Sequence, residues 1–316
     1  MRRLIAAAAI LIVIGFVVFK FVNRADDEPT AHVSAAASAF PFPDRSAAGN
    51  IDRPAVADAS AGYGALTLRL ANPLEHSQSL RGLQEQYQSS ANPAERNLAW
   101  RAWSACFPTF ISASGAVPTL DSVTRALPEN ASNHAERIEA YRALMGRCKA
   151  FLDLPRDRLV MHTEQLKGAA LSGTLDAPGD AARRLQTQGK TAEASAIARA
   201  TVASGDAWAI GSLRDFIFAR ASDTDSGDQS SVRLRSDLRA LAFSIAACDL
   251  GMACDANSLT AIELCAKQGQ CGGTVQDRLL QVLPDQADRD AVVREAASVA
   301  SAVRTRNFAA LGIDTP

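Results

Sequence analysis

The sequence predicts an all-α protein: antiparallel helical hairpins, in an α-solenoid-like or irregular helical array, behind one N-terminal transmembrane helix. From residue 75 onward, apolar residues recur at helical spacing between helix-start and helix-stop residues. No alternating strand pattern is longer than residues 66–70. Apolar residues make up 47% of the chain and aromatic residues only 6%, so we expect helices that pack closely through alanine.

Residues 1–3 are predicted to form a short cytoplasmic tip, and residues 4–22 a transmembrane anchor in the lipid bilayer. As a helix the anchor spans about 28 Å, close to the thickness of the hydrocarbon layer. Lys20, near its end, can extend its ammonium group to the interface. The alternative is a cleaved signal peptide, although the apolar run is long and the small-residue site Ala37-Ser38-Ala39 is distant from it.

Residues 23–74 are predicted to form a disordered tether. They are rich in Ala, Ser, Asp and Pro, and large apolar residues are few before Leu66. Such a composition cannot bury enough surface to offset the entropy lost on ordering. We expect the tether to hold the folded domain away from the bilayer.

Residues 75–316 are predicted to form the helical domain. Asn92 can cap a helix, Pro93 suits its first turn, and Glu95 can complete a capping box. Asn133 is placed to open another helix in the same way. Residues 138–148, 234–248 and 292–303 each carry apolar residues on one face at helical spacing, whereas a helix predicted over residues 159–171 is less clearly one-sided.

Residues 181–221 combine small residues with turn glycines, and Asp206 is placed to cap a helix over residues 207–221. The pattern consists of Leu185, Gly189, Ala192-Glu193-Ala194, Ala198, Gly205, Asp206 and Ala209. Over about forty residues it resembles Sel1 and tetratricopeptide repeats. The resemblance implies a stack of helical hairpins with a concave protein-binding surface, and it implies no activity.

All six cysteines follow the predicted anchor. Four of them read C-x5-C-x10-C-x5-C, and a glycine stands between the members of each close pair. A left-handed glycine turns the chain back towards the last turn of its helix, which predicts the pairs Cys248–Cys254 and Cys265–Cys271. Cys106 and Cys148 then pair by elimination. Other connectivities and free thiols are alternatives.

The cysteines also predict the compartment of the domain. Basic residues flank both ends of the anchor and do not orient it. Disulfides persist on the oxidising side of a membrane. The alanine- and arginine-rich composition is typical of bacteria, so we expect a single-pass protein of the bacterial inner membrane with its C-terminal domain in the periplasm.

The sequence predicts no metal ion and no cofactor. A zinc site built from four of the cysteines is an alternative, but structural zinc usually binds cysteines two to four residues apart. Asp223, Asp225 and Asp228 have part of a calcium-loop pattern, although Ser226 and Leu234 stand where ligands are needed. We expect a solvated loop there.

No catalytic residue is predicted either. The chain lacks the H-E-x-x-H, G-x-S-x-G and glycine-rich phosphate-loop motifs. Its 33 basic and 34 acidic residues nearly cancel, so nucleic acid is not an expected partner.

The largest aromatic cluster of the domain consists of Trp100, Trp103, Phe107 and Phe110. Its members are expected either in the hydrophobic core or along an apolar groove for a peptide or lipid. The predicted function is a membrane-anchored periplasmic module that binds or scaffolds a protein partner of the cell envelope. The alternatives are a hydrolase-like envelope enzyme, for example one acting on peptidoglycan with a dispersed acid/base site, and a structural accessory subunit.

Overall fold

A computed structural model of the chain describes residues 72–91, 93–171, 177–224 and 229–313. All of these residues belong to one compact unit. The predicted tip, the predicted anchor and nearly all of the predicted tether lie outside the described residues. Within the described residues every regular element is helical, which confirms the all-α class, and none of these helices is long and apolar enough to cross a membrane.

The N-terminal lobe contains a short helical segment, residues 72–76, and five further helices. These are α1 (Leu80–Tyr87), α2 (Pro93–Cys106), α3 (Leu120–Thr124), α4 (His134–Leu152) and α5 (Arg156–Leu171). The C-terminal lobe contains α6 (Pro178–Thr187), α7 (Thr191–Ser204), α8 (Ala207–Ser212), α9 (Arg214–Thr224), α10 (Gln229–Asp249), α11 (Leu259–Gln268), α12 (Val275–Leu280) and α13 (Gln286–Arg304).

Each lobe has its own hydrophobic core. In the N-terminal lobe, α1, α2 and α4 pack together around large buried side chains such as Trp103 and Phe151. In the C-terminal lobe, α10 packs against α8, α9 and α13 around Phe216 and Phe243. Burial of apolar surface in these cores is the main force that holds the helices in place.

Helix α11 belongs to both cores. Leu259 and Ala266 are buried in the N-terminal core, while Ala261 and Leu264 are buried in the C-terminal core. The helix also packs along α4. Because one helix supplies side chains to both cores, the lobes are joined by packing as well as by the chain.

The helical domain begins slightly before the predicted boundary, since residues 72–74 are part of it. Leu74 is completely buried in the N-terminal core. The Asn72 amide accepts a hydrogen bond of 2.8 Å from the Ala253 N–H, and its Nδ2 donates to the Gly251 carbonyl at 3.3 Å. The sequence places these groups far apart, so the beginning of the domain is tied to a loop of the C-terminal lobe.

A buried polar network fixes the start of α11. The carboxylate of Glu75, which has no exposed surface, accepts hydrogen bonds from the Thr260 backbone N–H at 2.8 Å and the Thr260 hydroxyl at 3.0 Å. Arg147 donates to the Glu75 carbonyl at 2.7 Å and to the Asn257 carbonyl at 2.6 Å. Burial lowers the pKa of Arg147. These two hydrogen bonds help to offset the cost of burying the charge of Arg147.

The cysteines form the three predicted pairs. Their S–S distances are 2.06, 2.03 and 1.99 Å in the pairs Cys106–Cys148, Cys248–Cys254 and Cys265–Cys271. Gly251 and Gly269 both have positive φ, 108° and 75°, as the predicted turns require. Because these four cysteines are joined in pairs, they are not free thiolates for a zinc ion.

Two helix ends differ in part from the predictions. Helix α4 begins directly after Asn133, as predicted, but the Asn133 side chain makes no capping bond and its amide donates to the Gly269 carbonyl at the end of α11. Asp206 does cap α8, but the predicted helix over residues 207–221 breaks at Leu213. The Ser212 hydroxyl donates back to the Ala209 carbonyl at 2.6 Å, an interaction that bends helices.

Candidate functional site

A cavity of about 380 Å³ lies where the two lobes meet. Its walls come from α2 of the N-terminal lobe and from α6 and α8 to α12 of the C-terminal lobe. We call it the inter-lobe cavity. Its volume is in the usual range for small-molecule sites, and its lining mixes aromatic, charged and hydroxyl side chains.

Helix α2 turns a polar face towards this cavity. Asn97, Trp100, Arg101 and Ser104 follow one another at helical spacing and all line it. Asn97 is only 2% exposed. Polar side chains normally face solvent, so a polar helix face directed into the protein is the informative observation.

Arg101 connects the cavity wall to the buried network. Its guanidinium carbon lies 5.1 Å from the centre of the Trp208 ring, in cation–π geometry. Its Nη2 lies 3.5 Å from the completely buried carboxylate of Glu75. The positive charge of Arg101 is therefore balanced inside the protein.

Two carboxyl groups stand at the mouth of the cavity. Asp215 lies beside Arg214, with 3.3 Å between the Arg214 Nε and the carboxylate. Asp180, in the first turn of α6, reaches solvent on one side. The protein packed around its other side raises the pKa of Asp180 by desolvation, and the negative charge of Asp215 raises it further, against the opposing effect of Arg183 and Arg214.

A close backbone contact holds α6 against α8 beside the cavity. Gly179 donates from its N–H to the Ser212 hydroxyl at 3.0 Å. A Cβ added at Gly179 would lie 1.7 Å from the Ser212 carbonyl oxygen. Only glycine allows α6 and α8 to approach this closely, and both helices line the cavity.

The inter-lobe cavity can act chemically in two ways. Aromatic rings beside a carboxylate favour a cationic ligand. A carboxyl group of raised pKa beside an ion-paired carboxylate is also the arrangement that general acid–base catalysis uses.

No protein-family model, characterised protein or solved structure matches the chain. The chemistry of its surfaces is therefore inferred from their own geometry.

A second concavity, of about 760 Å³, adjoins the first. Its floor is apolar and includes Phe218, Leu238, Leu241, Leu283 and Pro284. The neighbouring Val282 lines it with 52% of its surface exposed, which is unusual for a large apolar side chain of this domain. We call this surface the acid-rimmed groove.

The rim of this groove is negatively charged. Asp215, Asp237, Asp285 and Asp288 line it, whereas Arg214 is the basic residue among its described lining residues. Arg214 is itself paired with Asp215. No basic side chain of the described residues lies within ion-pair distance of Asp237, Asp285 or Asp288.

The aromatic residues singled out from sequence separate in the structure. Trp103 and Phe110 have no exposed surface and belong to the N-terminal core. Phe107 packs partly buried against that core, with its ring centre 6.1 Å from that of Trp103. Trp100 alone among the four lines the inter-lobe cavity. A groove built from all four side chains therefore does not form.

Apart from Trp100, the residues discussed above as lining the two concavities were not predicted from sequence to form a site. Trp208, Asp180 and Asp215 lie on three different helices, and only the fold brings them together. The signal available in the sequence was Asn97, Arg101 and Ser104 on one face of an otherwise apolar helix. Among the described residues, no group of three or more His, Cys, Asp or Glu could hold a metal ion. Asp225 and Asp228 lie outside them.

His162 gives the N-terminal lobe a pH-dependent stability. Its ring lies 5.7 Å from that of Trp103, and its Nδ1 is buried without a hydrogen-bond partner. Burial lowers the pKa of His162 below the ordinary 6.5, and Arg158 and Arg81 lower it further against a smaller effect of Glu85.

Below pH 6.5 the imidazole of His162 therefore binds a proton more readily in the unfolded chain than in the folded chain. The free energy of unfolding falls as the pH decreases through this range. We expect His162→Gln to lose less of its free energy of unfolding than the wild type between pH 7.5 and 5.5. Urea unfolding at the two pH values measures this. Equal losses in the two proteins would contradict the prediction.

Proposed function

We propose that the chain is a membrane-anchored periplasmic module that binds a protein partner of the cell envelope. The observation that carries the proposal is the acid-rimmed groove: an open apolar floor with Val282 half exposed beside it. Exposed apolar surface costs free energy, and a polar rim around it is typical of protein-binding sites. The three disulfides support an oxidising compartment.

The partner segment is an amphipathic helix with basic residues on its polar face. Leu238, Leu241 and Leu283 offer apolar contacts to one face of such a helix. Asp237, Asp285 and Asp288 offer charge partners to lysine or arginine residues on its flanks. An acidic helix would meet carboxylates at the rim and be repelled.

An envelope hydrolase is the second candidate. It is favoured by the raised pKa of Asp180 beside Asp215 at the inter-lobe cavity. That function needs both carboxyl groups to reach one bound substrate, whereas the protein-binding function needs the groove alone.

Peptide binding to the purified full-length chain tests the proposal. The probe is a labelled leucine–lysine amphipathic helix, and the matched control is the same peptide with glutamate at every lysine position. We expect fluorescence anisotropy to give at least ~10-fold tighter binding of the basic peptide, because like charges at the rim oppose the acidic one. The triple variant Asp237→Asn/Asp285→Asn/Asp288→Asn should lose that preference.

The control variant removes the same charge elsewhere: Asp121→Asn/Asp153→Asn/Asp157→Asn, all exposed in the N-terminal lobe. It should bind like the wild type. In cells, a photo-crosslinker at Val282 should capture one partner that carries a basic amphipathic helix, while a crosslinker at the similarly exposed Met161 should not. Equal binding of the two peptides, or equal crosslinking at the two positions, would count against the proposal.

A further inference from the structure

Four charged residues line the inter-lobe cavity: Arg101, Arg214, Asp180 and Asp215. The charge of Arg101 faces Glu75 at 3.5 Å, and the charge of Arg214 faces Asp215 at 3.3 Å. Asp180 has no basic side chain of the described residues within ion-pair distance. The charges of Arg183 and Arg214 act on Asp180 from beyond that distance. Its carboxylate is therefore placed to form a direct ion pair with a cationic ligand.

The aromatic lining favours such a cation. Trp100 and Trp208 both line the cavity. Trp208 already holds the guanidinium of Arg101 at 5.1 Å, so one cationic group is stabilised in this wall. Tryptophan attracts ammonium groups more strongly than the other aromatic residues, and the attraction grows where water is excluded.

The remaining lining residues are suited to a ligand with polar groups rather than to a hydrocarbon chain. Ser104, Ser244 and Thr260 bring hydroxyl groups to the cavity, and Asn97 brings an amide. These groups can exchange hydrogen bonds with hydroxyl or amide groups of a ligand. A volume of about 380 Å³ accommodates a monosaccharide or a dipeptide and excludes a long peptide.

We propose that the inter-lobe cavity binds a small polar ligand through a primary ammonium group, held by the carboxylate of Asp180 beside the indoles of Trp100 and Trp208. An amino sugar and the free amino terminus of a short peptide share this chemistry. The desolvation that raises the pKa of Asp180 is consistent with it, since an arriving cation stabilises the ionised carboxylate. This site is independent of the acid-rimmed groove as a binding surface, although Arg214, Asp215 and Ser244 line both.

Titration calorimetry on the purified full-length chain tests the proposal with matched probes. Glucosamine is compared with N-acetylglucosamine, and alanyl-alanine with its N-acetylated form. Each pair differs in the ammonium group. We expect the charged member of at least one pair to bind ~10-fold or more tightly than its neutral partner. The pair that shows the difference identifies the source of the ammonium group as a sugar or a peptide.

Variants assign the binding to this cavity. Asp180→Asn keeps a side-chain oxygen that can accept the hydrogen bond from the Ala177 backbone N–H. The substitution should weaken binding of the charged probe ~10-fold or more. Trp100→Leu should weaken it as well. Asp157→Asn, which removes an exposed aspartate on α5, should leave binding unchanged.

Three outcomes would overturn the proposal: equal binding of charged and neutral probes, no binding of any of the four, or charged-probe binding that Asp180→Asn leaves intact while its melting temperature matches the wild type. These outcomes are distinct from those that test the acid-rimmed groove. If the groove did not bind the amphipathic peptides, the titration of the four small probes would be unaffected.

Discussion

Replacing both Cys106 and Cys148 with alanine is expected to lower the free energy of unfolding by about 4 kcal/mol, according to the chain-entropy model of disulfides. The two cysteines are 42 positions apart and link α2 to α4, both in the N-terminal core. Without this disulfide the unfolded chain regains the conformational entropy that closure of the long loop removes, and the folded state is less stable relative to it. Alanine is chosen because both positions are fully buried, where a serine hydroxyl would add a desolvation cost.

The matched control is Cys248→Ala/Cys254→Ala, whose cysteines are only 6 positions apart. The same model gives roughly 2–2.5 kcal/mol for this short loop. Urea denaturation of wild type and both variants measures the two losses. If the short-loop variant lost as much as the long-loop variant, loop closure would not explain the stability of the N-terminal lobe.

Gly179→Ala is expected to cost about 3 kcal/mol or more, because overpacking against backbone cannot be relieved by a side-chain rotation. The new Cβ would lie 1.7 Å from the Ser212 carbonyl oxygen and 2.8 Å from the Leu213 nitrogen. Helices α6 and α8 would have to move apart, which widens the inter-lobe cavity. Weaker binding of the ammonium probe is thus expected together with the lower stability.

Gly146→Ala on α4 is the control, because nothing lies within 4 Å of its added Cβ. There alanine should stabilise the helix by ~0.5–1 kcal/mol, through its better helix propensity. Thermal and urea unfolding report both changes. A Gly179→Ala protein as stable as the wild type would mean that the close contact between α6 and α8 is dispensable.

Local signals in the sequence predicted local structure well. Asp206, which was predicted to cap a helix, accepts a hydrogen bond from the Ala209 N–H at the start of α8. The turn glycines correctly predicted two cysteine pairs, because a helix end, its left-handed glycine and the second cysteine are all neighbours in the chain. The Sel1 or tetratricopeptide resemblance stays a prediction.

The candidate sites depend on contacts between distant segments, which single-helix patterns do not contain. Trp100 was grouped with Trp103 because three positions separate them, yet the two rings face the cavity and the core respectively. Asn133 has the right residue type for a helix cap and bonds instead across the molecule to Gly269. In each case tertiary packing decides which of two physically reasonable partners a side chain takes.

The bonds of Asn72 have a mechanical consequence. Any tension applied to the chain before Asn72 is passed through its amide to Gly251 and Ala253, and from the neighbouring Glu75 to Thr260. A pull from the N-terminal side is therefore shared by the loop that the Cys248–Cys254 disulfide closes and by α11, which both cores hold. These hydrogen bonds would have to break before a pull from that side could draw residues 72–76 away from the C-terminal lobe.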